Sequence, residues 1–220
     1  MSAAAGGGDG GDGSWDVLRR TDQFSGAIMD VVSDEVRMPD GSTAVRDYVV
    51  HPGAVAVVAV DAAAAGAEDA GPRVLLIRQY RHPVGRELWE LPAGLLDVEG
   101  ERALATAARE LAEEADLRAS RWDVLADLLL SPGGSDEAIR LYLARDLRAV
   151  PPEELHARKA EEAAITTAWF SLDDAVAMVL GGEIENASCA TGVLAAAHAA
   201  ARDWRGLRPV DAPWPARPGR

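Results

Sequence analysis

Residues 94–117 read GLLDVEGERALATAARELAEEADL, and the stretch changes character halfway along. From Glu101 to Ala115 the small and apolar residues Leu104, Ala107, Ala108, Leu111 and Ala115 recur at helical spacing. On such a helix Glu110 and Glu114 stand four apart and Glu110 and Glu113 three apart, so three carboxylates share one face. A solvated acidic face is the plain reading of a cluster of like charges. The residues upstream change that reading: a Pro92-Ala93-Gly94 turn and a further acid, Glu101, precede the helix. Carboxylates together with an exposed carbonyl are the oxygen ligands that hard cations such as Mg²⁺ prefer.

Working outward, strand signals dominate before this helix and helices end the chain. AIMDVVSDEVRM (27–38) and TAVRDYVV (43–50) flank PDGS, whose Asp40-Gly41 pair has hairpin-turn chemistry. GAVAVVAV (53–60) and RVLLIRQYR (73–81) read as buried or half-buried strands separated by an Ala/Gly loop, 61–72. ELWELPAGL (87–95) is a short strand ending in a turn. Beyond the helix, WDVLADLLL (122–130) and AIRLYLARDL (138–147) are strands on either side of SPGGSDE (131–137), and ITTAWF (165–170) is the last. Ser171 and Asp174 resemble a capping box for a helix over 172–182, and a small-residue helix is expected over 186–204. The layout implies an α/β fold, a sheet with helices packed against it. Its expected parts are a disordered Gly/Asp/Ala-rich tail (1–14), a strand-rich segment (15–52), the main domain (53–207) and an irregular Pro-rich tail (208–220) that drapes over a neighbouring surface.

At 220 residues and 48% hydrophobic content the chain can bury a substantial core. A net charge of −14 leaves no basic surface for general nucleic-acid binding. It permits a small phosphorylated substrate, because bound divalent cations reverse the local sign. Cys189 is the single thiol, so no intramolecular disulfide can form; in its apolar run it reads as a packing residue rather than a nucleophile. A reducing cytoplasm is the expected location, with no membrane-spanning apolar run and no signal-peptide pattern. Trp15, Trp89 and Trp122 read as core residues, and His51, His82, His156 and His198 show no metal-ligand spacing.

Gly94, Glu101, Arg109-Glu110-Leu111, Glu113-Glu114 and Leu117, in that order, resemble the Nudix box, a loop–helix–loop metal site that usually reads GX5EX7REUXEEXGU, with U aliphatic. The resemblance implies a Nudix-type α/β/α sandwich with a mixed sheet, and hydrolysis of a nucleoside diphosphate linked to another moiety. It implies Glu110 and Glu114 as main ligands of Mg²⁺, with Mn²⁺ an alternative, Glu113 assisting and the Ala93 carbonyl contributing. Arg109 would pair with a carboxylate and fix its rotamer. Glu101 would order the loop by hydrogen bonding to it or to Arg109, or act only as an acid favoured by the helix N-terminus. Two positions depart from the pattern: six residues rather than five separate Gly94 from Glu101, and Asp116 replaces the closing glycine. That position often needs a left-handed backbone, which Asp tolerates better than most residues.

Further stretches are similar to the ADP-ribose pyrophosphatase subfamily: QYRH, ELWELPAGLLD, GEIENA, and SPGGSDE with Pro132 sixteen residues beyond Asp116. The likeness implies ADP-ribose or a related nucleotide sugar as substrate. Arg81 would meet a phosphate or ribose, Glu137 an adenine or terminal-ribose hydroxyl, and Arg46 would reach across a dimer interface. For each of these three a surface salt bridge is the plainer alternative, and SPGG is equally a tight turn between strands. Subfamily members are typically homodimers that exchange N-terminal strands, so the strand-rich segment is expected to be a dimerisation arm. The general base is expected in LRAVPPEELHARKAEEA (147–163), at Glu162 with Glu161 as the alternative; the plain reading is that both are solvated loop acids. Two other functions stay open: hydrolysis of another nucleotide sugar or a dinucleotide, and a non-catalytic ligand-sensing Nudix domain. The intact box glutamates speak against the second.

Overall fold

The structure, a computed structural model, describes residues 15–61, 71–159 and 163–217. The tail 1–14, most of the Ala/Gly loop and both candidate bases, Glu161 and Glu162, lie outside the described residues. Contacts sort the chain into two units: residues up to His51 with Ser131–Asp136, and residues 52–130 with 137–220.

In the first unit β1 (Asp16–Ser25), β2 (Asp30–Arg37) and β3 (Thr43–Val50) form an antiparallel sheet in the order β1-β2-β3. The β2–β3 turn closes where Gly41 adopts φ 82° and the Ser42 amide donates to the Asp40 carboxylate at 2.9 Å. Asp34, 3% exposed, ties the three strands together: Arg20 on β1 donates to both its oxygens at 2.8 Å and the Tyr48 hydroxyl on β3 donates at 2.9 Å. The Arg20 bonds hold the Asp34 carboxyl below its ordinary range, outweighing burial. β1 is absent from the strands predicted above because its register shifts twice against β2, at Val17/Arg19 and Asp22/Phe24, which destroys alternation. Trp15, expected in the core, is 61% exposed. The SPGG turn is present, with the Gly134 and Ser135 amides donating to the Ser131 carbonyl at 3.0 and 2.9 Å.

The second unit is built on seven strands: β4 (Ala54–Asp61), β5 (Arg73–Arg81), β6 (Arg86–Glu90), β7 (Ala93–Leu95), β8 (Leu117–Leu129), β9 (Ala138–Ala149) and β10 (Thr166–Ser171). Their order is β10-β5-β4-β9-β8, with β6 beside β5 and β7 beside β4. Only β4 and β9 pair in parallel, so the sheet is mixed. β4 is buried on both faces, which is why AVAVVAV reads as a continuous apolar run. Val55, Val57 and Ala59 face one core with Ala107, Leu111 and Ala115 of α1 (Ala103–Ala115). Ala54, Ala56, Val58 and Val60 face the other, with Leu172 and Ala175 of α2 (Leu172–Leu180) and Val193 and Ala196 of α3 (Ala187–Ala200). This is the α/β/α sandwich expected from the sequence.

The close approach of α3 needs Gly192, where an added Cβ would lie 2.8 Å from Leu91 and 2.9 Å from Val58. Cys189 is fully buried, and burial pushes its thiol up to about 12, as a packing residue requires. The Ser171 hydroxyl caps α2 by accepting from the Asp174 amide at 3.0 Å. α3 stops at Ala200 rather than Trp204, because Asp203 (φ 51°) and Trp204 (φ 59°) turn left-handed. β8 begins at Leu117, five residues earlier than expected, directly after α1. The C-terminal tail is seated on the sheet: Val124 donates to the Arg208 carbonyl at 2.9 Å, and buried Arg140 donates to the carbonyls of Ala212 (2.9 Å) and Pro213 (3.0 Å). Asp127 accepts from Arg140 and Arg208 at 2.7–2.9 Å; burial alone would push its carboxyl up, but the two guanidinium groups bring it below its ordinary range.

Candidate active site

Burying Ala107, Leu111 and Ala115 sets the flank of α1 that carries Glu110 and Glu114 against β7. There the Ala93 amide donates to the Glu114 carboxylate at 2.9 Å, leaving Glu114 7% exposed. Gly94 passes beneath Glu110 so closely that a Cβ on it would lie 2.0 Å from that carboxylate oxygen. A side chain at position 94 would displace the Glu110 carboxylate from where it lies.

Arg109 organises the remaining acids. Its Nη1 donates to Glu110 at 2.7 Å and to Glu113 at 3.1 Å, while Nε and Nη2 donate to the two oxygens of Glu101 at 3.3 and 3.2 Å. Glu101 also accepts from the buried Thr106 hydroxyl at 2.9 Å. Arg109 holds the Glu101 carboxyl below its ordinary range; burial opposes this and Thr106 assists. The bond to Arg109, one of the alternatives open for Glu101, is present.

Among the described residues no three acidic, His or Cys side chains are already gathered at metal-binding separation. Glu110 and Glu113 are instead drawn toward Arg109. The donors themselves, three carboxylates on one helix face beside the Ala93–Gly94 backbone, are hard oxygens and fit a divalent cation such as Mg²⁺. A cavity of about 340 Å³ opens next to Arg109 and Glu113, lined also by Arg118, Glu154 and His156.

At its C-terminus α1 closes on Asp116 in the left-handed conformation, φ 54° and ψ 32°, with its amide bonded back to the Leu111 carbonyl. Arg158, which the sequence reading did not single out, donates to the Asp116 carboxylate at 2.6 Å and to the Glu113 carbonyl at 2.7 Å. No local signal could have found it, since 42 residues separate the partners.

The structure thus brings together Ala93, Gly94, Glu101, Arg109, Glu110, Glu113 and Glu114. Arg81 is gathered instead with Glu90, a 3% exposed carboxylate that it grips with two bonds of 3.0 and 2.7 Å. Glu137 immediately precedes β9 in the same unit. Arg46, exposed on β3, and Pro132, in the SPGG turn, belong to the N-terminal unit.

The chain is similar to known proteins over most of its length. The chain is 48% identical over 194 residues to an ADP-ribose pyrophosphatase of Mycobacterium tuberculosis, covering 88% of each. It is 33% identical over 170 residues to an ADP-ribose pyrophosphatase of Bacillus subtilis, covering 77% of this chain and 85% of that one. The fold is shared with a crystal structure described as an ADP compounds hydrolase, at a TM-score of 0.69 and 18% identity, over 86% of this chain and 96% of that one. Residues 51–189, which hold the whole carboxylate cluster, match the NUDIX domain, and the chain belongs to the Nudix family.

Proposed function

We propose that this chain hydrolyses the pyrophosphate linkage of ADP-ribose to AMP and ribose 5-phosphate in the presence of Mg²⁺, with Mn²⁺ as a substitute. The observation that carries the reading is the carboxylate cluster of α1, where Glu114 accepts from the Ala93 amide, Glu110 lies against Gly94, and Arg109 donates to Glu110 and Glu113. The names of the two pyrophosphatase relatives support the choice of substrate. Nudix hydrolases generally need a divalent metal; when bound, it neutralises the diphosphate oxygens and orients the attacking water. Glu110 and Glu114 are its main holders, with Glu113 assisting and the Ala93 carbonyl contributing. Arg109 sets the rotamers of Glu110 and Glu113, and Glu101 and Thr106 set Arg109. Glu162, or Glu161 in its place, takes the proton from the water as its oxygen attacks phosphorus and the bridging P–O bond breaks. Arg81, Glu137, Arg46 and Pro132 position the nucleotide and ribose.

Turnover of ADP-ribose, GDP-mannose and NADH, measured side by side with Mg²⁺, tests the substrate. AMP is expected to appear fastest from ADP-ribose. Preference for either competitor reassigns the substrate within the family, and binding of ADP-ribose without AMP release points to a ligand sensor.

We also propose a homodimer built through the N-terminal sheet. All ten residues of β1 are exposed, among them Val17 at 53% and Phe24 at 60%, on an edge strand that invites pairing. Light scattering should show a dimer that survives deletion of residues 1–12, whereas deletion of 1–50 should abolish activity because Arg46 is supplied to the partner subunit's site. A fully active monomer refutes this arrangement. The cytoplasm is the proposed location; among the described residues no helix is long and apolar enough to cross a membrane.

A further inference from the structure

A helix ends with carbonyls that lack partners and with the negative pole of its dipole, so a cation placed there is stabilised. At the end of α1 that cation is Arg158, whose Nε donates to the Glu113 carbonyl at 2.7 Å and whose Nη2 donates to the Asp116 carboxylate at 2.6 Å. Its side chain is 22% exposed and that of Asp116 41%, so the guanidinium is the partly shielded member of the pair. The Asp116 carbonyl accepts from the Val150 amide at 2.9 Å. Asp116 therefore ties down both ends of the segment 150–158, one through its backbone and the other through its side chain. A glycine, the residue the box usually has here, offers the left-handed backbone and the carbonyl but no carboxylate.

We infer that Asp116 and Arg158 form a latch that positions the chain after β9 against the carboxylate-bearing end of α1, with Arg158 as a positioning residue for catalysis. The replacement of glycine by Asp116 is then a matched change: some backbone strain is accepted in exchange for an anchor. The catalytic consequence rests on the proposed hydrolysis. Glu161 and Glu162 follow Arg158 by three and four residues in the sequence, so the latch anchors the stretch of chain that leads to them. Without the latch that anchor is lost.

Four variants test the latch: Asp116→Asn, Asp116→Gly, Arg158→Ala, and Asp116→Gly combined with Arg158→Ala. Each single change should lower kcat for ADP-ribose about tenfold with KM within about twofold, and the double variant should be no worse than the weaker single, because the two residues act as a unit. Asp116→Gly restores the ordinary box residue and relieves the left-handed strain, so its loss of kcat does not come from misfolding. Trypsin should cleave Asp116→Asn after Arg158 or Lys159 several-fold faster than the parent, a readout that needs no substrate. Unchanged kcat in the single variants, additive losses in the double one, or unchanged cleavage would overturn the latch. If Asp116→Asn is cleaved faster while the parent fails to hydrolyse ADP-ribose, the latch stands and the assigned reaction falls.

Discussion

Glu110→Gln and Glu114→Gln should each lower ADP-ribose turnover by orders of magnitude. Glutamine keeps the shape of the side chain and can still accept the hydrogen bonds seen here, from Arg109 at position 110 and from the Ala93 amide at position 114. What it removes is the negative charge that a hard cation needs. Melting in the presence of a chelator separates this from damage to the fold. Glu114→Gln should melt at or above the parent temperature, because a like charge leaves the shared face. In Glu110→Gln the same relief is offset by a weakened bond to Arg109. Gly94→Ala should produce a similar catalytic loss by a steric route, its Cβ driving the Glu110 carboxylate out of a space 2.0 Å away. Near-normal turnover in both glutamine variants would sink the metal assignment.

Glu162→Gln should reduce kcat by about a hundredfold or more, the range typical of a lost general base, while ADP-ribose still binds. In the proposed reaction the glutamates of α1 would be committed to the cation, so the proton of the attacking water would need a separate acceptor. On that proposal EEA (161–163), which precedes β10 in the sequence, would supply one. Kinetics of Glu161→Gln and Glu162→Gln at saturating Mg²⁺ decide between the neighbours, since only the true base shows the loss in kcat. Parent rates in both variants place the base elsewhere.

Much of the sandwich was legible because burial on a sheet or helix leaves a period in the sequence. β4 reads as an unbroken apolar run because both of its faces are covered, and α1 declares itself through Ala107, Leu111 and Ala115. β1 did not, because a strand with all ten residues exposed has no apolar face and its register shifts scramble what alternation remains. Trp15 misled for a related reason: a large ring usually means burial, but this one stands at the start of that exposed strand. In the site, the box spacing announced the glutamates and their arginine. The bidentate Arg81–Glu90 pair and the Arg158 anchor left no such trace, because a single cation meeting a distant acid has no period to read.

The seating of the C-terminal tail bears on how the chain matures during synthesis. Arg140 lies in β9, 3% exposed, and depends on Asp127, already translated, and on carbonyls at positions 212 and 213 that come 72 and 73 residues later. A ribosome adding about 5–20 residues per second needs several seconds to deliver them. During that interval β8 and β9 can pair, but the guanidinium between them lacks part of its final set of acceptors. Delivery of residues 212 and 213, rather than emergence of the Nudix box, is the event that lets this side of the sheet close.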